Sequence, residues 1–200
     1  MKNDHLILFV KNPELGKTKT RIAVSTGDQK ALEIYKELVE ITRNVAEKTN
    51  CQKHLFYSEF IDCQDNWDSS IFLKNYQVGV NLGERMKNAF QKVFEANTGK
   101  GKLIIIGSDC PYIDSELISS AFAALDEYQT VIGPATDGGY YLLGMSEYFP
   151  EIFDDIAWSS DTVFSDTIKI LDTKKLSYHT LTALTDIDTI DDWEEYKNGK

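Results

Sequence analysis

Leu103-Ile-Ile-Ile-Gly-Ser-Asp-Cys-Pro111 is the stretch from which the fold class is read. The consecutive branched apolar residues Leu103–Ile106 have the length and composition of a strand buried on both faces, the usual state of a strand inside a parallel sheet. Pro111 stops that strand from continuing. Asp109 follows just beyond the strand, and in open α/β sheets ligands sit outside the carboxyl ends of the strands. A carboxylate there is placed to hold a divalent cation, which favours hard oxygen ligands and substrate phosphates. A turn or helix-capping aspartate would have the same sequence, so both readings stand.

Working outward, strand-length apolar runs alternate with helical patterns from end to end. His5–Val10 reads as a buried strand, and Asp28 to Thr49 repeats apolar residues in a helical stripe. Lys53–Ser58 reads as a strand, Ile71–Val80 has no clear type, and Leu82–Asn97 is helical with Met86, Ala89, Phe90, Val93 and Phe94 on one face. Asp114 suits the N-cap of a helix through Glu127. Thr130–Gly133 and Tyr140–Met145 read as strands around a Gly-rich turn, Ser160–Asp172 as a helix and Ser177–Leu181 as extended chain. Thr189 and Asp192 have capping-box spacing before a last helix. The expectation is one α/β domain over residues 1–200 with a mainly parallel sheet.

The chain has 200 residues, 42% hydrophobic and 26% charged, and a formal charge of −11. That length supports a sizeable core without disulfide or metal staples. The negative charge repels nucleic acid and anionic membranes, although a local basic patch can still bind a small phosphorylated ligand. No segment approaches the ~20 apolar residues that span a bilayer. Cys51, Cys63 and Cys110 fit neither a disulfide framework nor a zinc pattern, so a reduced, cytoplasmic protein is expected.

Three further stretches suggest chemistry. Between Lys11 and Arg21, after the first strand, Lys11, Lys17, Lys19 and Arg21 face a single acid, Glu14. A basic, Gly-containing loop at that position can cradle phosphate; a solvated charge run is the alternative, and the position directly after the first strand argues against it. Gly16-Lys17-Thr18 is not a Walker A motif, because Lys11 stands where its first Gly is needed. Asp186-Ile-Asp-Thr-Ile-Asp-Asp192 carries four acids in seven positions. The helix dipole accounts for Asp191 and Asp192, whereas Asp186 and Asp188 are freer to bind metal. Gly133-Pro-Ala-Thr-Asp-Gly-Gly-Tyr140 reads as a hairpin turn or as a loop whose glycines admit a ligand beside Asp137. Tyr140 and Tyr141 alternate faces in a strand, so one of them at most is expected to face a pocket.

Taken in order, Lys-x-Pro-x-x-Gly-x-x-Lys-Thr-Arg, Leu-Gly-Glu-Arg-Met, Gly-Ser-Asp-Cys-Pro, Gly-Pro-Ala-x-Asp-Gly-Gly-Tyr-Tyr-Leu-Leu-Gly and Asp-Ile-Asp-Thr-x-x-Asp resemble a bacterial family over about Leu6 to Trp193. It is the family of glycosyltransferases related to 2-phospholactate guanylyltransferase, some of them linked to arsenosugar or selenosugar biosynthesis. The resemblance implies a nucleotide-diphospho-sugar transferase (GT-A) fold, a Rossmann-like three-layer α/β/α sandwich with a mixed central sheet. It implies a nucleotide and phosphate site at Lys11, Gly16, Lys19, Arg21, Gly83 and Arg85. It assigns Mg²⁺ or Mn²⁺ to Asp109 and Asp188, and an acceptor loop to Asp137, Gly138, Gly139 and Tyr140. Asp109, Asp137 and Lys19 would be catalytic. Ser-Asp-Cys offers one carboxylate where a full DxD motif offers two. The implied partners are a nucleotide-sugar or nucleoside triphosphate and a small-molecule acceptor, with no nucleic acid or membrane and with room for a homodimer. Glycosyl transfer, nucleotidyl transfer with release of pyrophosphate, and non-catalytic nucleotide binding all use the same motifs.

Overall fold

Side chains alternate along β1 (Asp4–Val10): Leu6, Leu8 and Val10 pack on one side of the sheet, Ile7 and Phe9 on the other. The computed structural model describes residues 4–98 and 100–199. β1 is central and pairs in parallel with β2 (Gln52–Tyr57) and β4 (Lys102–Ile106), with Leu8 opposite both Leu55 and Ile106. β3 (Phe72–Tyr76) adds a parallel edge strand in the segment whose type the sequence leaves open. Beyond β4 lie β6 (Tyr140–Met145), β5 (Thr130–Pro134) and β7 (Tyr178–Thr180), so the order is β3-β2-β1-β4-β6-β5-β7.

Among the described strands only β6 runs against the rest, antiparallel to both β4 and β5. Its short connection from β5 allows nothing else, since a parallel return needs a crossover of a dozen or more residues. The sheet is therefore mixed, as the resemblance implies, and mainly parallel, as the apolar runs imply.

α2 (Asp28–Lys48) and α4 (Ser115–Ala124) cover one face of the sheet. α3 (Leu82–Ala96), α5 (Val163–Lys174) and a 3-10 turn at Pro150–Phe153 cover the other. α1 (Thr20–Thr26) and α6 (Ile190–Asn198) pack on α2 through Ile22, Ile34, Leu38, Trp193 and Tyr196. α1 was not legible in the sequence. Its alternating β-branched residues have poor helix propensity, and burial of Ile22 supplies the stabilisation instead.

Several boundaries shift by a few residues. The Asp114 cap is present, accepting from the Leu117 N–H at 2.7 Å, but α4 ends at Ala124 rather than Glu127. α5 begins at Val163 rather than Ser160, because the Ser160 and Thr162 hydroxyls bond to each other in the preceding turn. The Thr189–Asp192 capping box is formed.

Candidate functional site

The chain leaves β1 toward β2 and β3 on one side and returns to β4 on the other. Their carboxyl ends thus form the topological switch point at which such sheets bind ligands. A cavity of about 520 Å³ opens there, lined by the ends of all four strands, from Phe9–Lys11, Ser58, Gln77 and Ile105–Cys110. The first residues of α3, with Tyr140, Tyr141, Ser159 and Asp186, complete its wall.

Tyr35 of α2 ties two of these loops together. Its hydroxyl accepts from the Lys11 N–H at 2.7 Å, donates to the Lys11 carbonyl at 3.0 Å and lies 3.3 Å from the Ser108 hydroxyl. Gln77 braces the neighbouring strand ends, donating to the Phe56 carbonyl at 3.1 Å. Arg85 extends from α3 and donates to the Gly79 carbonyl at 3.2 Å and the Gln77 side-chain oxygen at 3.5 Å.

The basic loop divides once folded. The Lys17 ammonium pairs with Glu14 at 2.8 Å, Lys19 with Asp109 at 2.6 Å, and Arg21 with Asp188 at 2.9 Å. Neither Lys11 nor Arg85, both lining the cavity, pairs with a carboxylate among the described residues. The cavity therefore has two uncompensated cations in a chain of charge −11, suited to phosphate or another anion.

The same cavity is lined by the carboxylates Asp109 and Asp186, while Asp188, Lys19 and Arg21 lie off its wall. The Ile187 N–H donates to the Asp109 carbonyl at 2.9 Å, laying residues 186–188 beside the β4 loop. The Lys19 ammonium, only 7% exposed, reaches Asp109 and lies 4.0 Å from Asp188. Asp186 lines the cavity, and its buried Oδ1 has no hydrogen-bond partner. Burial, followed by the nearby charges of Asp109 and Asp137, pushes the Asp186 carboxyl up to about 7.

No group of three or more His, Cys, Asp or Glu side chains among the described residues is arranged to hold a metal by itself. The donor chemistry nevertheless suits Mg²⁺ or Mn²⁺, which bind through one or two carboxylates while substrate phosphates and water supply the rest. Asp109 and Asp188, both turned to one ammonium, offer that pair of carboxylates.

The structure thus gathers Lys19, Arg21, Asp109 and Asp188, and puts Lys11, Arg85, Asp109 and Tyr140 on the cavity wall. Gly16 is away from it, facing the Asp28 carboxylate. Gly83 does not line the cavity; it is packed so closely under Trp158 that a Cβ would lie 2.0 Å from the indole. Gly138 has φ +93°, and a Cβ there would lie 2.0 Å from the Asp161 carbonyl oxygen. Asp137 turns onto its own loop, accepting from the Gly139 N–H at 2.9 Å. Both Tyr140 and Tyr141 touch the cavity, which lies across the end of the sheet, so strand alternation does not exclude either. Cys110 is buried, which pushes its thiol up to about 12.

Tyr35, Gln77 and Ser108 were missed by sequence reasoning: the first reads as a core position of a helical stripe, the second lies in the segment of unclear type. Asp186 carried a signal in its acidic run, but the motif correspondence selects Asp188 in its place.

Residues 41–160 match the family model described as "Uncharacterized protein conserved in bacteria (DUF2064)". A crystal structure from Desulfovibrio desulfuricans G20, with the provisional designation nucleotide-diphospho-sugar transferase, is 33% identical with a TM-score of 0.89. The alignment covers 100% of this chain and 89% of that one. The inositol-1-phosphate CTP transferase of T. maritima shares the fold at TM-score 0.59 and 14% identity, over 98% of this chain and 95% of that one. Rv0371c of Mycobacterium tuberculosis H37Rv in complex with manganese shares it at 0.58 and 11%, over 98% of each chain. No curated protein matches the sequence. No described helix is long and apolar enough to cross a membrane.

Proposed function

The chain belongs to the bacterial family DUF2064, and from that membership and the charges lining the cavity we propose a metal-dependent glycosyltransferase with a nucleotide-diphospho-sugar donor and a small-molecule acceptor. The observation that carries this reading is one cavity at the switch point lined both by Lys11 and Arg85, neither paired with a carboxylate among the described residues, and by Asp109 and Asp186, with Asp188 linked to Asp109 through the Lys19 ammonium just outside the cavity wall. Lys11 and Arg85 hold the diphosphate. Lys19 and Arg21 bring positive charge to the side on which the leaving nucleotide gains negative charge. Asp109 and Asp188 would hold Mg²⁺ or Mn²⁺, which when bound stabilises that same charge as a Lewis acid. The loop Asp137, Gly138, Gly139 and Tyr140 reaches the cavity through Tyr140 and would flank the acceptor, with Asp137 Oδ2, which is not the oxygen bonded by the Gly139 N–H, taking the acceptor proton.

Nucleotidyl transfer is the second reading, because the fold is shared with a CTP transferase. Kinship with arsenosugar- and selenosugar-linked glycosyltransferases and with 2-phospholactate guanylyltransferase belongs to the proposal too, and makes guanine nucleotides a first choice in the test. Nucleotide-sugars and triphosphates are each incubated with the protein and Mn²⁺, and products are resolved by ion-exchange chromatography. Metal-dependent nucleoside diphosphate, absent with Asp109→Asn, is the expected result. Pyrophosphate would replace glycosyl by nucleotidyl transfer. No metal-dependent nucleotide binding in a thermal-shift panel would leave only a non-catalytic role.

A further inference from the structure

Lys19 is held in an unusual way for a phosphate-binding lysine. Its backbone is left-handed (φ 49°, ψ 48°) at the N-cap of α1, and its side chain is almost wholly enclosed. The ammonium donates to the Ile187 carbonyl at 2.6 Å and lies 2.6 Å from Asp109 Oδ1. The carbonyl bond anchors the charge within the acidic group regardless of what the carboxylates bind. Asp188 Oδ1 lies 4.0 Å away, while its Oδ2 accepts from the exposed Arg21 at 2.9 Å. A fixed cation therefore sits against the oxygens that a metal ion would use.

We propose that Lys19 is a resident counter-ion that disfavours a free divalent cation at Asp109 and Asp188, so that the site admits its cation together with a phosphate-bearing ligand. A like charge a few ångströms from a bound ion weakens binding, and negative phosphate oxygens entering beside Lys19 remove that penalty. Lys19 is thus a positioning residue as well as a phosphate contact, and the site selects a metal–phosphate complex over either component alone. The inference rests on the proposed cation role of Asp109 and Asp188.

The test titrates Mn²⁺ alone, without nucleotide, and reads free Mn²⁺ by electron paramagnetic resonance. Lys19→Gln is expected to bind Mn²⁺ on the order of tenfold more tightly than the parent protein, the effect of removing one nearby unit charge. Lys19→Arg, which keeps the charge, should stay weak, and circular dichroism checks that all variants fold. Adding Asp109→Asn to Lys19→Gln should abolish the gain. Lys19→Gln binding no tighter than the parent, while Asp109→Asn alone weakens Mn²⁺, would overturn the counter-ion role and leave the cation site standing. Mn²⁺ binding unchanged by Asp109→Asn in both backgrounds would overturn the cation site, and the counter-ion role with it.

Discussion

Asp186 shows how one side chain couples the site to stability. Its folded-state carboxyl is raised to about 7 by burial and by Asp109 and Asp137, whereas an unfolded aspartate titrates near ~3.9. Between these values the folded state holds the extra proton, so this contribution to stability is present at low pH and is lost as pH rises toward 7. Asp186→Asn removes that loss. The difference in thermal midpoint, variant minus parent, should therefore grow from about pH 4 to pH 8 and then level off. A constant difference would show that Asp186 ionises as an ordinary surface carboxylate. The buried His5–His54 pair, 3.1 Å apart, acts in the opposite sense. Burial lowers both imidazoles, His54 to about 4, so their contribution is lost as pH falls below ~6.5. The comparison is therefore made as a difference between proteins, in which the histidines cancel.

At the scale of elements, helix α3 and the segment carrying Trp158 meet through a missing side chain. Trp158 packs on Phe153 and Tyr140 as well as over Gly83, joining the start of α3 to the strand β6. Gly83→Ala forces a methyl into the indole and should cost about 1–3 kcal/mol by overpacking. Gly107→Ala, with nothing within 4 Å of the new Cβ, should change stability by less than ~0.5 kcal/mol. Urea unfolding of the pair decides the matter. Equal midpoints would mean that Trp158 moves aside freely and that the contact is not a structural joint. The motif Leu-Gly-Glu-Arg-Met thus has two roles on one helical turn: Gly83 seats Trp158, and Arg85 lines the cavity while donating to Gly79 and Gln77.

For the whole molecule, the excess negative charge is the dominant electrostatic fact. At −11 the folded chain repels itself, and raising ionic strength from ~0.01 to ~0.15 M shortens the Debye length from roughly 30 to 8 Å. The thermal midpoint should rise by a few degrees over that range in calorimetry. A fall would mean that the specific ion pairs outweigh the general repulsion. Most of those pairs are exposed and contribute little each. In the Lys74–Asp65 pair, at 2.6 Å, both side chains are largely enclosed, and it pins the chain between β2 and β3.

The sequence by itself determined the alternating α/β layers, because apolar runs and helical stripes are local patterns visible over a few residues. It also determined the capped starts of α4 and α6, where Asp114 and Thr189 bond within three residues of themselves. Cross-chain geometry was out of its reach. A basic window with a net excess of three charges looked like one phosphate cradle. Folding brings residues 186–188 against it, pairs Lys19 and Arg21 with carboxylates, and leaves Lys11 and a distant Arg85 without a carboxylate partner among the described residues. Likewise Gly83 is a glycine on account of Trp158, and the Asp186 carboxyl is raised by burial and by residues far away in the chain. Coulomb and steric forces act through space rather than along the chain, so only the tertiary structure decided which charges are compensated and which remain for a ligand.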